Sequence, residues 1–171
     1  MATYFFNECG REIPSKAIAR ILETILPELI HHNQNGFVKG RSVFDTVRTI
    51  DDLLELAQIT NKSGILVAID FEKAFHSLDH TYLLKVLEKL NFGTYFLQWI
   101  KIFYTDVSSC VLNNGFTTDL FQVRRGVRQG DPLSPLLFIL AIEILATQIR
   151  QDDNIHGVMV KNEEIKLTLF A

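Results

Sequence analysis

The sequence predicts an α+β fold, with helices packed on a small, largely antiparallel sheet. Two observations carry this. One-sided apolar patterns at helical spacing are interleaved with short apolar runs, without the strict period of a βαβ chain. Asn113-Asn114-Gly115, between two β-rich runs, is a strong hairpin signal. The 171 residues, 47% of them hydrophobic, suffice for one compact domain or most of one, burying about 70% of the unfolded surface. Internal repeats, low-complexity tracts and obvious linkers are absent from the sequence.

In chain order, Ser15 precedes Ala17, Ile18, Ile21, Leu22 and Ile25, predicting a helix with Ser15 as its N-cap. Asn33-Gln34-Asn35-Gly36 reads as a loop. Ser42 with Asp45 three residues on reads as a capping box for a second helix, with Val43, Val47, Ile50, Leu54 and Ala57 on one face. After the turn residues Asn61-Lys62-Ser63-Gly64, the branched apolar run Ile65 to Ile69 predicts a strand buried on both faces. Asp79 caps a helix through Leu83, Leu84, Leu87 and Leu90, and another runs from Thr94 to Tyr104, joined near Gly93. The hairpin pairs Val107 to Leu112 with Phe116 to Val123. Leu133 to Ala146, which carries Glu143, reads as a buried core helix, shorter than the ~20 residues a membrane span needs. Val158 to Lys161 and Glu164 to Leu169 form a final hairpin around Asn162-Glu163.

A net charge of -3 gives no bulk attraction for a polyanion, so any nucleic acid must be held by local clusters. Cys9 and Cys110 lack a CxxC or neighbouring His pattern, which argues against a disulfide or zinc scaffold and fits a reducing compartment. The first residues, Met1 to Glu8, do not read as a signal peptide, so an intracellular, non-secreted and non-membrane protein is expected.

Asp70 ends the predicted strand Ile65 to Ile69, where a sheet would hold a carboxylate rigidly at the solvent edge. A turn-capping Asp accounts for the same position. Phe75 lies close behind, near enough to stand beside whatever Asp70 binds and bulky enough to exclude a sugar 2′-hydroxyl; a core role fits it too. One aspartate is only part of a magnesium site, since that ion binds through one or two carboxylates plus substrate phosphates. Asp51-Asp52 and Asp152-Asp153 read as solvated surface. Arg124-Arg125-Gly126-Val127-Arg128-Gln129-Gly130-Asp131-Pro132 joins a strand to a helix. Its arginines can pair with phosphates, its glycines let backbone approach a ligand, and Gln129 can bond a base or sugar edge. The N-terminus of the next helix favours an anion; an ordinary basic loop is the bland alternative. Lys39 and Arg41 form a third glycine-flanked basic loop. His76 with His80, and His31 with His32, lack the third ligand that zinc would need.

Taken together, the order and spacing of Gln34 to Ser42, Ala68 to His80 and Gly126 to Glu143 resemble reverse transcriptases of non-LTR (LINE-like) retrotransposons, from about Ser15 to Ala171. The resemblance implies part of a polymerase palm with part of the fingers over residues 15–171, and a divergent segment over residues 1–14. It implies that Asp70 and the backbone carbonyl of Phe71 hold catalytic Mg2+, and that Phe75 is the gate against ribonucleotides. Gln129 and Gly130 would line the pocket for the incoming deoxynucleoside triphosphate; Lys39, Arg41, Arg124, Arg125 and Arg128 would contact RNA template, DNA primer or phosphate. In that family an aromatic residue, an alanine and two aspartates form a further block. Phe170-Ala171 matches its first half, so the chain is expected to be truncated just before the aspartates, with a two-metal site that is incomplete and unable to polymerise alone. His76 departs from the family's usual aspartate. The alternative is a non-catalytic nucleic-acid-binding remnant of a decayed mobile element.

Overall fold

A computed structural model describes residues 3–6 and 12–170. Cys9 and Ala171 lie outside the described residues. The elements run β1 (Thr3–Phe6), α1 (Glu12–Leu29), α2 (Val43–Ile59), α3 (Ala74–Ser77), α4 (His80–Lys89), α5 (Thr94–Tyr104), β2 (Ser108–Asn113), β3 (Phe116–Thr117), β4 (Phe121–Gln122), α6 (Leu133–Gln151), β5 (Val158–Val160) and β6 (Glu163–Ile165). Every described pairing between named strands is antiparallel: β2 pairs with β1, β3 and β4, and β5 pairs with β6. The mixture of helices and small antiparallel sheets is the one predicted.

The core is built by helices around α6. Its Leu133, Leu137, Ile139 and Leu140 are fully buried. They join Ala19, Leu22 and Leu26 of α1, Leu83 and Leu87 of α4, and Ile100 and Phe103 of α5 in one apolar cluster. Because neighbours surround it, α6 carries no polar stripe over most of its length. At 19 residues it is long and apolar enough to cross a bilayer by length and composition, and runs further than the predicted Leu133 to Ala146.

Several starts and turns obey local chemistry. Ser42 accepts from the Phe44 N–H while the Asp45 carboxylate accepts from the Ser42 N–H, closing the capping box of α2. The β2–β3 turn places Asn114 at φ 50° and Gly115 at φ 83°, the left-handed pair that matches strand twist in a two-residue hairpin.

Four boundaries differ from the sequence-based expectation. Helix α1 starts at Glu12, because Pro14 is tolerated in a first turn that needs no N–H donor there. Ser15 is therefore inside the helix, buried, and is not its cap. The predicted strand Phe116 to Val123 is broken into β3 and β4; between them Thr118 turns its hydroxyl to accept from the Val111 N–H. The last hairpin turns at Lys161-Asn162, with Lys161 at φ 55°, one step before Asn162-Glu163. Its second strand stops at Ile165. Leu169 pairs elsewhere: its N–H donates to Asn33 and its carbonyl accepts from Asn35. The fourth difference concerns Ile65 to Ile69, at the site itself.

Candidate active site

The run Ile65 to Ile69 is not a strand. It has no regular secondary structure and is unpaired among the described residues, with Ile65 93% and Ile69 77% exposed. Branched apolar residues favour extended backbone, but a ladder needs a second strand, and the described strands pair with one another instead. Asp70 at its end is exposed.

The turn after Asp70 is held more firmly. Phe71 and Phe75 both meet the ring of Phe138 edge-on, with centroids 6.5 Å and 5.0 Å away. Edge-to-face rings favour such spacing. Phe37, from the Lys39 loop, approaches Phe75 at 6.4 Å. Phe138 thus ties the Asp70 turn to α6, a role that sequence reasoning missed; an aromatic ring within an otherwise aliphatic helix was its only signal.

The two motif-bearing segments are laced backbone to backbone. The Val127 N–H donates to the Phe75 carbonyl and the Gly126 N–H to the Leu78 carbonyl, both at 2.7 Å. Gly126 has φ +92°, and a Cβ there would lie 3.2 Å from the His76 Cα and carbonyl oxygen. This close approach sets Phe75 beside the loop that carries Arg128, Gln129 and Gly130.

That loop is fixed at its far end by Asp131. Its carboxylate accepts from the Leu133 N–H at 2.9 Å, capping α6, and from the Ser15 hydroxyl of α1. Half-buried Arg128 lies near the Tyr104 hydroxyl, which burial pushes up to about 12, so that hydroxyl stays neutral and can donate. Gln129 and Gly130 are exposed. With Lys16 and Glu12 of α1 they line a cleft of about 260 Å³.

The basic residues divide. Lys39 and Arg124 are exposed. Arg125 pairs with Asp79 at 3.6 Å. The Arg41 guanidinium donates to the carbonyls of His31 (2.6 Å), Gln34 (2.7 Å), Ile30 (3.2 Å) and Pro27 (3.4 Å). It closes the carbonyl end of α1, where a cation also suits the helix dipole. Asp79 caps α4 by accepting from the Thr81 and Tyr82 N–H groups. The Tyr82 N–H foremost, then Thr81 and the Arg125 charge, hold its carboxyl below the usual carboxylate range. A depressed folded value means stabilisation that is present above the unfolded carboxylate range and lost as pH falls through the folded one. Asp79→Asn should therefore flatten the acid side of the stability profile, where pH falls through and below the unfolded carboxylate range. Thermal melts across that window check this; parallel curves for parent and variant would refute it.

No group of three His, Cys, Asp or Glu side chains that could hold a metal ion occurs among the described residues. Asp70 and the Phe71 carbonyl offer two hard oxygens, fewer than magnesium requires from protein and substrate together. His80 is turned onto the Gly126 carbonyl at 2.8 Å, and His32 onto Glu163 at 2.9 Å.

A family profile described as "Reverse transcriptase (RNA-dependent DNA polymerase)" matches residues 10–171. The "Transposon TX1 uncharacterized 149 kDa protein" of Xenopus laevis is 38% identical over 160 residues, covering 94% of this chain and 12% of that protein. The "Retrovirus-related Pol polyprotein from type-1 retrotransposable element R2" of Popillia japonica is 26% identical over 164 residues, 92% of this chain and 23% of the relative. The corresponding type-2 R2DM polyprotein of Drosophila melanogaster is 30% identical over 138 residues, 81% of this chain and 13% of the relative. The chain spans less than a quarter of the length of each of these relatives.

Proposed function

Because the chain belongs to the reverse transcriptase (RNA-dependent DNA polymerase) family, on its non-LTR retrotransposon branch, we propose that it forms part of the palm and fingers of an enzyme that copies RNA into DNA. The primer 3′-hydroxyl would attack the α-phosphate of a deoxynucleoside triphosphate, expelling pyrophosphate. In this reading residues 15–171 form the polymerase portion and residues 1–14 a divergent lead-in. Helix α1 crosses that division from Glu12, and β1 within the lead-in pairs with β2.

The family uses divalent metal ions; Asp70 and the Phe71 carbonyl are the proposed magnesium ligands in this chain, and the ion would supply charge stabilisation at the phosphate. Two oxygens are part of such a site, and the other residues of this surface would contribute by positioning. Phe75 would close the sugar side of the pocket, where a 2′-hydroxyl would meet its ring. Gln129 and the exposed backbone of Gly130 would receive the nucleotide and its template base. Lys39, Arg124, Arg125 and Arg128 would pair with template, primer or triphosphate, while Arg41, its guanidinium engaged with carbonyls at the end of α1, would position the loop that carries Lys39.

The observation that supports this reading best is the bond from the Val127 N–H to the Phe75 carbonyl, which sets the proposed gate beside the proposed pocket loop. Family membership favours a polymerase segment over a non-catalytic binding remnant. The test is a titration of the 171-residue chain with dGTP and with GTP, monitored by amide chemical shifts. Shifts centred on Gln129 and Gly130, stronger with dGTP, are expected, and Phe75→Ala should close most of that preference. Shifts confined to other surfaces, or a preference untouched by Phe75→Ala, would overturn the assignment.

A further inference from the structure

We propose that His80 is a positioning residue for the nucleotide surface. By holding the Gly126 carbonyl, its imidazole keeps the Phe75 turn and the Gln129–Gly130 loop in register. This inference rests on the reading of that surface as the deoxynucleotide pocket.

His80 is the first residue of α4, directly after the Asp79 cap, and is only 8% exposed. Its Nε2 lies 2.8 Å from the Gly126 carbonyl oxygen. A carbonyl can only accept, so Nε2 carries the hydrogen and is not a free lone pair for a metal. The ring is seated against Tyr104, centroids 5.1 Å apart, which fixes the direction of that N–H.

Gly126 is the point at which the two motif segments touch. Its N–H is taken by Leu78 and its carbonyl by His80, so both peptides flanking its Cα are anchored to the turn that opens α4. The next N–H, from Val127, goes to Phe75. At φ +92° Gly126 occupies a conformation that glycine reaches freely and could also leave freely. The imidazole restricts that freedom from beneath. Without it the loop keeps its covalent path but loses one of the bonds that hold Gln129 and Gly130 at a fixed distance from Phe75.

Two variants separate this role from ordinary packing. His80→Phe keeps a buried ring against Tyr104 and removes the donor; His80→Gln returns a nitrogen donor at about the reach of Nε2. Amide hydrogen exchange in the 171-residue chain should be about tenfold faster at Gly126 and Val127 in His80→Phe, with the Leu97 and Leu169 amides unchanged. The dissociation constant for dGTP should rise about tenfold. His80→Gln should bring both back to within about threefold of the parent. Parental exchange in His80→Phe, a His80→Gln variant no better than His80→Phe, or uniform acceleration across the fold would each overturn the proposal. If the parent itself does not bind dGTP, the nucleotide reading falls, and the exchange at Gly126 and Val127 still decides whether His80 holds the loop.

Discussion

Gly126→Ala is expected to destabilise the fold by about 2–5 kcal/mol and to remove nucleotide-induced shifts at Gln129 and Gly130. Two effects combine. An L-residue held at φ +92° loses about 1–2 kcal/mol to its own backbone sterics. The added methyl would also press on His76 Cα and carbonyl oxygen at 3.2 Å and on the Phe75 carbonyl at 3.3 Å. These are backbone atoms and cannot rotate aside, so α3 and the loop must separate, at a further cost of about 1–3 kcal/mol. Gly130→Ala is the control: φ is +87°, but nothing lies within 4 Å of the new Cβ, so only the first cost, about 1–2 kcal/mol, applies. Urea unfolding of the two variants isolates the second effect. Equal losses would mean that the contact between the two segments is not tight.

Features coded by a few neighbouring residues were legible in the sequence. Ser42 with Asp45, Asp79 before α4, Asn114-Gly115 in the hairpin, and α5 from Thr94 to Tyr104 are found where local chemistry placed them. Each satisfies its own backbone groups within a few residues and needs no distant partner. The order of the three loops is sufficient for the family to be recognised without knowledge of any contact, and the family match bears that out.

Long-range pairing was not legible. The run Ile65 to Ile69 has the composition of a buried strand, but composition supplies no second strand, and the residues stand exposed. Ser15 has the chemistry of a cap but reaches across the fold to Asp131. Arg41 has the sequence setting of a phosphate contact, and the structure shows its guanidinium on four carbonyls around the end of α1. Nothing local distinguishes a capping arginine from a ligand-binding one, because both need only acceptors and reach. The lacing of Gly126 to the Phe75 turn was likewise invisible, although a glycine flanked by bulky residues hinted at a close approach.

The second large effect comes from an ion pair two turns apart on α6, Glu143 with Arg150, whose reach to Asn33 across the fold the sequence does not reveal. Arg150→Ala is expected to cost about 3–5 kcal/mol, a large share of a domain's usual stability. The Arg150 guanidinium pairs with the Glu143 carboxylate and donates to the Asn33 side chain and the Thr147 hydroxyl, both at 3.0 Å. Glu143 is 5% exposed, and its second oxygen has no hydrogen-bond partner among the described residues. Removing the arginine would leave a buried carboxylate to be neutralised or hydrated, which costs more than the pair itself contributes. The loss would also spread. Asn33 donates from its side chain to the Leu167 carbonyl at 3.0 Å and accepts from the Leu169 N–H at 2.8 Å, so the segment leading to Phe170 would loosen with it. Adding Glu143→Leu to Arg150→Ala should recover much of the stability, because no buried charge then remains, while Leu167 to Leu169 stays less protected from hydrogen exchange. If the double variant is as unstable as Arg150→Ala, packing around the arginine stem and not the stranded carboxylate carries the effect. If exchange at Leu169 is unchanged in both, the pair does not hold that segment.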